Sequence, residues 1–379
     1  INALLKEELT LKDPVKEVGM TSFYLAYHGL NDRALQVKTT RLYERACPSL
    51  LYAAPHCRPS ARREKAGKVK IGFISRYLLS HSVALTTRGM IANLSGEKFS
   101  KCLFSVPPAK KDDLMAQFGD KVDRIVVLPG TLAMARERIA EEKLDILYYL
   151  DIGMEPLTYF LAFARLAPVQ CVFPGHPVTT GIRAMVYYIS SQHSEPADAD
   201  AHYSERLVRL KDPPGYYYRP RVEGPHKTKR DFGLEEDRTI YLCPQTLFKV
   251  HPEFDEVLGN ILRADPRGDM VLVEAVESYW ARLLQRRFER AIPDVAGRVR
   301  FLPRQSSQDF PRLLSVADVV LDTIRFGAGS TSYMALALGV PMVTLRGKYL
   351  RDRVAYACYK QMGVMDCVAA SQAGYIKTA

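Results

Sequence analysis

The chain has 379 residues, 47% hydrophobic and 25% charged, a balance that suits two globular domains and excludes a disordered or fibrous protein. Lys and Arg number 53 against 42 Asp and Glu, a formal charge of +11 spread along the chain. That excess favours anionic ligands, and the lack of an aromatic-plus-basic recognition motif argues against nucleic acid. No apolar run approaches the roughly 20 residues of a membrane span.

Residues 1–67 are expected to form a helical lead-in, with Phe23, Tyr24, Leu25, Leu42 and Tyr43 as its apolar stripe. The start at Ile1, without a signal-peptide pattern, reads as a cut from a longer helical region. A short basic stretch, 58–65, leads into a first α/β lobe, 68–212. Apolar runs predict strands at 69–75, 99–106, 121–128, 146–150, 169–173 and 186–190, and helices at 86–94, 132–142 and 156–164. Pro213, Pro214 and Gly215 open an interlobe linker, 213–236. The second lobe, 237–379, repeats the alternation: strands at 239–243, 270–273, 299–302, 319–321 and 342–344, and helices at 252–263, 280–291, 309–316 and up to 338. Strands alternating with helices mean parallel sheets covered on both faces. Two such Rossmann-like, doubly wound lobes facing one another would hold a ligand in the cleft between their carboxyl ends. Seven dispersed cysteines with no CxxC pair point to reduced thiols, a cytoplasmic home and no zinc.

One block organises the second lobe, ADVVLDTIRFGAGSTSYMALALGVPMVTL at 317–345. A short buried strand ends at Asp322, a glycine-rich turn follows, and a helix runs from the turn to Gly339, with Pro341 beyond it. A glycine turn feeding a helix start offers unpaired N–H groups and the positive end of a dipole, which is a seat for phosphate. The same residues also make a ligand-free strand-to-helix turn.

Several motifs, in order, resemble one family: GHPVTTG (175–181), SEPADADAHYSERL (194–207), CPQTLFKVHPEF (243–254), ADVVLDT and ALALGVPMVT. Together they resemble the catalytic region of the O-GlcNAc transferase family, most of all its bacterial members, which often carry tetratricopeptide repeats ahead of it. The resemblance implies a GT-B glycosyltransferase with a UDP-sugar donor held mainly by the C-terminal lobe. It implies no cofactor or metal, inversion at the transferred sugar, and a protein or peptide acceptor. Ser/Thr acceptors mark one branch of such enzymes and Asn acceptors another.

The resemblance assigns Lys249 to the donor diphosphate, where a fixed ammonium would stabilise departing UDP. Gly329, Ser330 and Thr331 match the diphosphate-binding helix start, although Ser and Thr there also serve as plain helix caps. Gln245 joins this donor set, and 302–305, ending at Gln305, would receive the uracil. Gly175 and Pro177 would border the sugar. His81 matches a histidine near sugar and acceptor, and a loop histidine can also be polar filler. Asp151 and His176 are the acceptor-side candidates, Asp151 being equally suited to capping its own turn. Asp198, Ala199 and Asp200 read as the DxD of metal-dependent transferases. The preceding Ser194, Glu195 and Pro196 suggest instead a capped helix start with acidic residues in its first turn, so no metal site is assigned.

This chain departs from the family at Met334, where an acidic residue usually meets the donor ribose; a thioether accepts hydrogen bonds poorly. Ser307, Pro174 and Val186 also replace common polar or aromatic residues. These changes keep a second reading open, a non-catalytic module that retains the fold.

Overall fold

The computed structural model describes residues 1–59, 67–107, 117–222 and 224–379, so most of the expected basic linker 58–65 lies outside the described residues. The chain divides into two units, Ile1–Leu25 with Leu30–Tyr218, and Ala26–Gly29 with Arg219–Ala379.

The first unit opens with helices α1 (Pro14–Val18) and α2 (Arg33–Ala46). Asp13 accepts from the Lys16 N–H to cap α1, and Gly19 closes it in the left-handed region. Strands β1 (Val69–Ser75), β2 (Phe99–Ser105), β3 (Arg124–Val127), β4 (Ile146–Tyr149), β5 (Val169–Val172), β6 (Tyr187–Ser191) and β7 (Arg206–Leu210) form one sheet in the order β3-β2-β1-β4-β5-β6-β7. Every pair is parallel, β1 and β2 running in register from Val69 opposite Phe99 to Ser75 opposite Ser105. Helices α3 (Ser82–Asn93), α4 (Leu132–Ala140) and α5 (Pro156–Leu161) connect the strands. Ile71, Phe73, Leu103 and Tyr148 on one sheet face pack with Val83, Ala84 and Ile91 of α3.

The second unit holds β8 (Thr239–Cys243), β9 (Gly268–Val273), β10 (Val299–Leu302), β11 (Val319–Leu321), β12 (Met342–Leu345) and β13 (Val368–Ala369), ordered β10-β9-β8-β11-β12-β13. Its helices are α6 (Asp255–Ala264), α7 (Ser278–Ala291), α8 (Asp309–Val316), α9 (Ser330–Ala337), α10 (Val354–Met362) and α11 (Gln372–Thr378). Because side chains alternate along a strand, β8 feeds two cores. Tyr241 and Cys243 join Leu258, Leu284, Phe288 and Tyr375 on one face; Ile240 and Leu242 join Leu313, Leu314, Ala335 and Ala355 on the other. Phe288 is fully buried, and truncation to Ala there costs about 3–5 kcal/mol.

In both sheets the strand order reverses direction at one gap, β1/β4 in the first and β8/β11 in the second. Loops leaving the carboxyl ends of strands at such a switch point diverge to opposite faces and leave a crevice for ligand.

The expected strands all form, with four corrections elsewhere. Helix α3 begins at Ser82 rather than residue 86, because the His81 imidazole caps it by accepting from the Val83 N–H. No capped α-helix starts at Ser194: Glu195 is buried and accepts from Ser190 Oγ at 2.6 Å and the Tyr203 hydroxyl at 2.7 Å, and only a 3-10 turn, Ala199–His202, follows. Strand β7 and the elements α10, β13 and α11 were not expected. Four lead-in residues, Ala26–Gly29, group with the second unit, where Tyr27 stacks on Phe326 at 4.3 Å.

Candidate active site

The second unit's switch point gathers most of the donor-side candidates. After β8 the chain makes a 3-10 turn, Leu247–Lys249, placing Lys249 over the loop that leaves β11. Its ammonium donates to Gln245 Oε1 and to the Gly327 carbonyl, each at 3.0 Å, and lies 4.8 Å from the centre of the Phe326 ring. An ammonium has three donors, so one remains after these two bonds. Burial pulls its pKa down to about 8, against the opposing pull of Asp322. Gln245 is buried, and its Nε2 has no hydrogen-bond acceptor among the described residues.

Asp322 builds the turn. One carboxylate oxygen accepts from the Ala328 N–H and the other from Thr344 Oγ1, both at 2.7 Å. A Cβ on Gly327 would lie 2.9 Å from this carboxylate, so glycine lets the backbone close around it. Burial pushes the acid up to about 6. The neighbouring Arg325 adopts φ 72°, a left-handed conformation uncommon outside glycine, and its guanidinium pairs with Glu253. From this turn α9 starts at Ser330 with Gly329 as its N-cap and no side chain capping it. Thus Ser330 and Thr331 do not serve as caps. At the start of α9 the Ser332 N–H donates to the Gly329 carbonyl at 3.0 Å, which leaves the N–H groups of Ser330 and Thr331 to face outward from the helix end beside a loop that Lys249 touches. Gln305 stands apart: it follows β10, two strands from β8, and its amide donates to the Pro303 carbonyl at 2.6 Å.

The first unit's switch point gathers the other candidates. Asp151, just past β4, is fully buried and accepts from Ser75 Oγ and the Arg76 N–H, both at 2.9 Å. It therefore braces the β1 turn rather than capping its own. Its second oxygen has no hydrogen-bond partner among the described residues. Burial, with Glu155 as a like charge, raises its pKa to about 7. His81 stacks on Tyr77 at 4.3 Å, and burial lowers its pKa to about 4, so it is neutral near pH 7. Because Nδ1 accepts from the Val83 N–H at 3.2 Å, the ring proton belongs on Nε2. A Cβ on Gly175 would sit 1.9 Å from the Leu150 carbonyl oxygen, so this glycine is demanded by backbone packing. His176 beside it is buried and stacks on Phe23 at 4.7 Å, while Pro177 is half-buried in the same loop.

Residues 224–379, which contain Lys249, Asp322 and the glycine turn, match the model of glycosyl transferase family 41. The chain is 26% identical over 318 residues, 82% of its length, to the probable UDP-N-acetylglucosamine–peptide N-acetylglucosaminyltransferase SPINDLY of Arabidopsis thaliana. The same plant's SEC, likewise described as a probable UDP-N-acetylglucosamine–peptide N-acetylglucosaminyltransferase, is 24% identical over 343 residues, 86% of this chain. The chain spans about a third, 34%, of the length of either relative. A point mutant of the O-GlcNAc transferase of Thermobaculum terrenum superposes with a TM-score of 0.78 at 26% identity, covering 94% of this chain and 67% of that one. The expected O-GlcNAc transferase-like resemblance and GT-B fold are borne out.

Asp322, which the sequence marks only as a strand end, organises the turn that Lys249 touches. Its signal was a carboxylate closing an apolar strand five residues before a Gly-Ala-Gly turn. Met334 is partly buried and packs against the apolar core. In the suspected DxD, Asp200 pairs with Arg209, which holds its carboxyl below the ordinary range. Among the described residues no group of three or more His, Cys, Asp or Glu is placed to hold a metal ion. No helix among them is long and apolar enough to cross a membrane.

Proposed function

We propose that the chain is the catalytic part of a cytoplasmic protein glycosyltransferase that moves GlcNAc or another hexose from a UDP-sugar to Ser/Thr side chains, with inversion and without a metal. The observation that carries this reading is Lys249 Nζ at 3.0 Å from the carbonyl of Gly327, at the glycine turn that opens α9. When the sugar's C1–O bond to the diphosphate breaks, negative charge grows on the leaving UDP. The Lys249 ammonium, the Gln245 amide and the N–H groups of α9 are donors suited to that charge, and they are fixed before it appears. Ser330 and Thr331 add hydroxyls at the same helix start.

On the acceptor side, His81 as placed offers an Nε2–H donor and orients oxygen rather than deprotonating it. Asp151, titrating at about 7, suits temporary storage of the acceptor's proton. Gly175 and Pro177 would border the sugar, with His176 behind them. The packing of Met334 favours no other activity, so a protein with relaxed ribose recognition fits as well as one with altered donor choice.

Calorimetry with UDP, followed by mass spectrometry of acceptor proteins incubated with UDP-sugars, tests the reading. UDP is expected to bind, Lys249→Ala to bind at least about tenfold more weakly, and hexose or N-acetylhexosamine to appear on Ser or Thr. UDP binding without transfer to any protein would leave only a binding module; modified Asn would move the chain to the other branch.

A further inference from the structure

Away from both switch points, the first unit contains a cavity of about 280 Å³ between α2 and the backbone that follows β5. Three arginines, Arg33, Arg41 and Arg183, line it, and none of the lining residues is acidic. Arg33 and Arg41 are eight residues apart, roughly 12 Å along α2 and on one side of it, with Thr40 between them. Among the described residues neither guanidinium has a hydrogen-bond or ion-pair partner. Arg183 has one, Glu44 at 3.5 Å, but with its side chain 72% exposed the pair holds it weakly.

The walls are built rather than incidental. Buried Thr40 donates to the Gly181 carbonyl at 2.7 Å, and the Gly181 N–H donates to Ser204 Oγ at 3.1 Å. Gly181 has φ +73°, and a Cβ there would come within 2.7 Å of backbone atoms of Gln36 and Val37. Helix α2 and the loop are thereby locked together, and the concavity cannot collapse. Three like charges around a fixed concavity repel one another, and an anion among them reverses that cost.

We propose that this pocket binds a phosphate monoester. A monoester is nearly doubly charged at pH 7 and presents three oxygens, which match guanidinium forks better than a carboxylate does. The volume sits at the lower end of the roughly 300–1,000 Å³ range for drug-sized ligands, room enough for a phosphate and a few more atoms. The phosphate could belong to a free phosphoester or to a phosphorylated side chain of a bound protein.

The test titrates the full chain, in a Lys249→Ala background that removes the proposed UDP contact, with three probes at low salt. They are inorganic phosphate, glycerol 3-phosphate and a phosphoserine peptide, beside its serine and glutamate forms. Phosphorylated probes are expected to bind, the glutamate peptide at least about tenfold more weakly, and Arg33→Ala/Arg41→Ala to weaken binding at least about tenfold. Since those guanidiniums have no partners among the described residues, the variant should keep its melting temperature, and with Lys249 restored it should bind UDP unchanged. A tighter phosphopeptide assigns the source to a protein side chain; tighter glycerol 3-phosphate assigns it to a free ester. No binding by any phosphorylated probe, equal binding of the glutamate peptide, or binding that survives the double variant overturns the proposal. UDP binding decides the transferase reading separately.

Discussion

The two switch points share a frame and differ in what surrounds its carboxylate. Each places a buried aspartate just beyond the strand on one side of the gap, Asp151 after β4 and Asp322 after β11. Each aspartate accepts a backbone N–H from a loop it holds, Arg76 in one case and Ala328 in the other. Burial raises both acids, to about 7 and about 6. Asp322, however, has the Lys249 cation as well as the Asp352 carboxylate near it and both oxygens engaged, whereas Asp151 has Glu155 as a like charge and one oxygen without a partner among the described residues. The same local construction thus yields a fully bonded carboxylate beside an ammonium in one unit and a carboxylate with a spare oxygen in the other.

Removing the ammonium should break this contrast most completely. Lys249→Ala is expected to lower transfer by about 10²–10³-fold, the range for losing one fixed donor to developing charge. With a pKa of about 8, wild-type UDP binding should fall as pH rises through 8. Lys249→Arg, which cannot deprotonate, should bind without that alkaline limb. Linkage gives an opposite trend in stability. A lysine depressed from 10.5 to about 8 leaves the unfolded chain binding more protons between those values, so stability should rise with pH there. Urea unfolding of Lys249→Met across that window should lack this slope; an unchanged slope would remove Lys249 from the buried site.

Two further variants compare how tightly each frame is packed. Gly175→Ala drives a Cβ to within 1.9 Å of the Leu150 carbonyl oxygen, while Gly327→Ala meets the Asp322 carboxylate at 2.9 Å. The first should cost about 3 kcal/mol or more in urea unfolding and the second less, with Gly327→Ala losing more UDP affinity. Asp151→Asn addresses charge instead. A carboxyl raised from 3.8 to about 7 stabilises the fold below 3.8, and that stability is lost as pH rises through 7. The substitution should flatten this descent by on the order of 4 kcal/mol. A descent that persists would show that Asp151 titrates normally.

Much of this was legible because the strands are apolar runs that end in polar turns, as in 69–75 and 239–243. Strand β7 was not, since RLVRL is mostly exposed and its arginines hide the period. The role of Asp322 depends on Thr344, 22 residues later, and no local pattern reports that hydrogen bond. The arginine pocket draws on positions 33, 41 and 183, which only the packing of α2 against Gly181 brings together. His81 is legible as a candidate, but the pattern places its helix start at 86, four residues beyond Ser82, because histidine is not among the preferred N-caps.

That capping role frames the smallest expected effect. If His81 only closes α3, His81→Asn should keep both stability and transfer, because Asn is a good N-cap, while His81→Ala should lose about 1 kcal/mol. If Nε2–H also orients the acceptor, His81→Asn should fold like wild type yet transfer at least about tenfold more slowly. With its pKa near 4, His81 should contribute no titration to the rate between pH 5 and 7, so any acidic limb there belongs to Asp151 or Asp322, and Asp151→Asn tells which. Melting temperature and single-turnover transfer, measured on both variants across that range, separate the two uses. An imidazole bound at Nδ1 by its own helix has only one nitrogen left to offer a substrate, and the asparagine variant removes that offer without disturbing the cap.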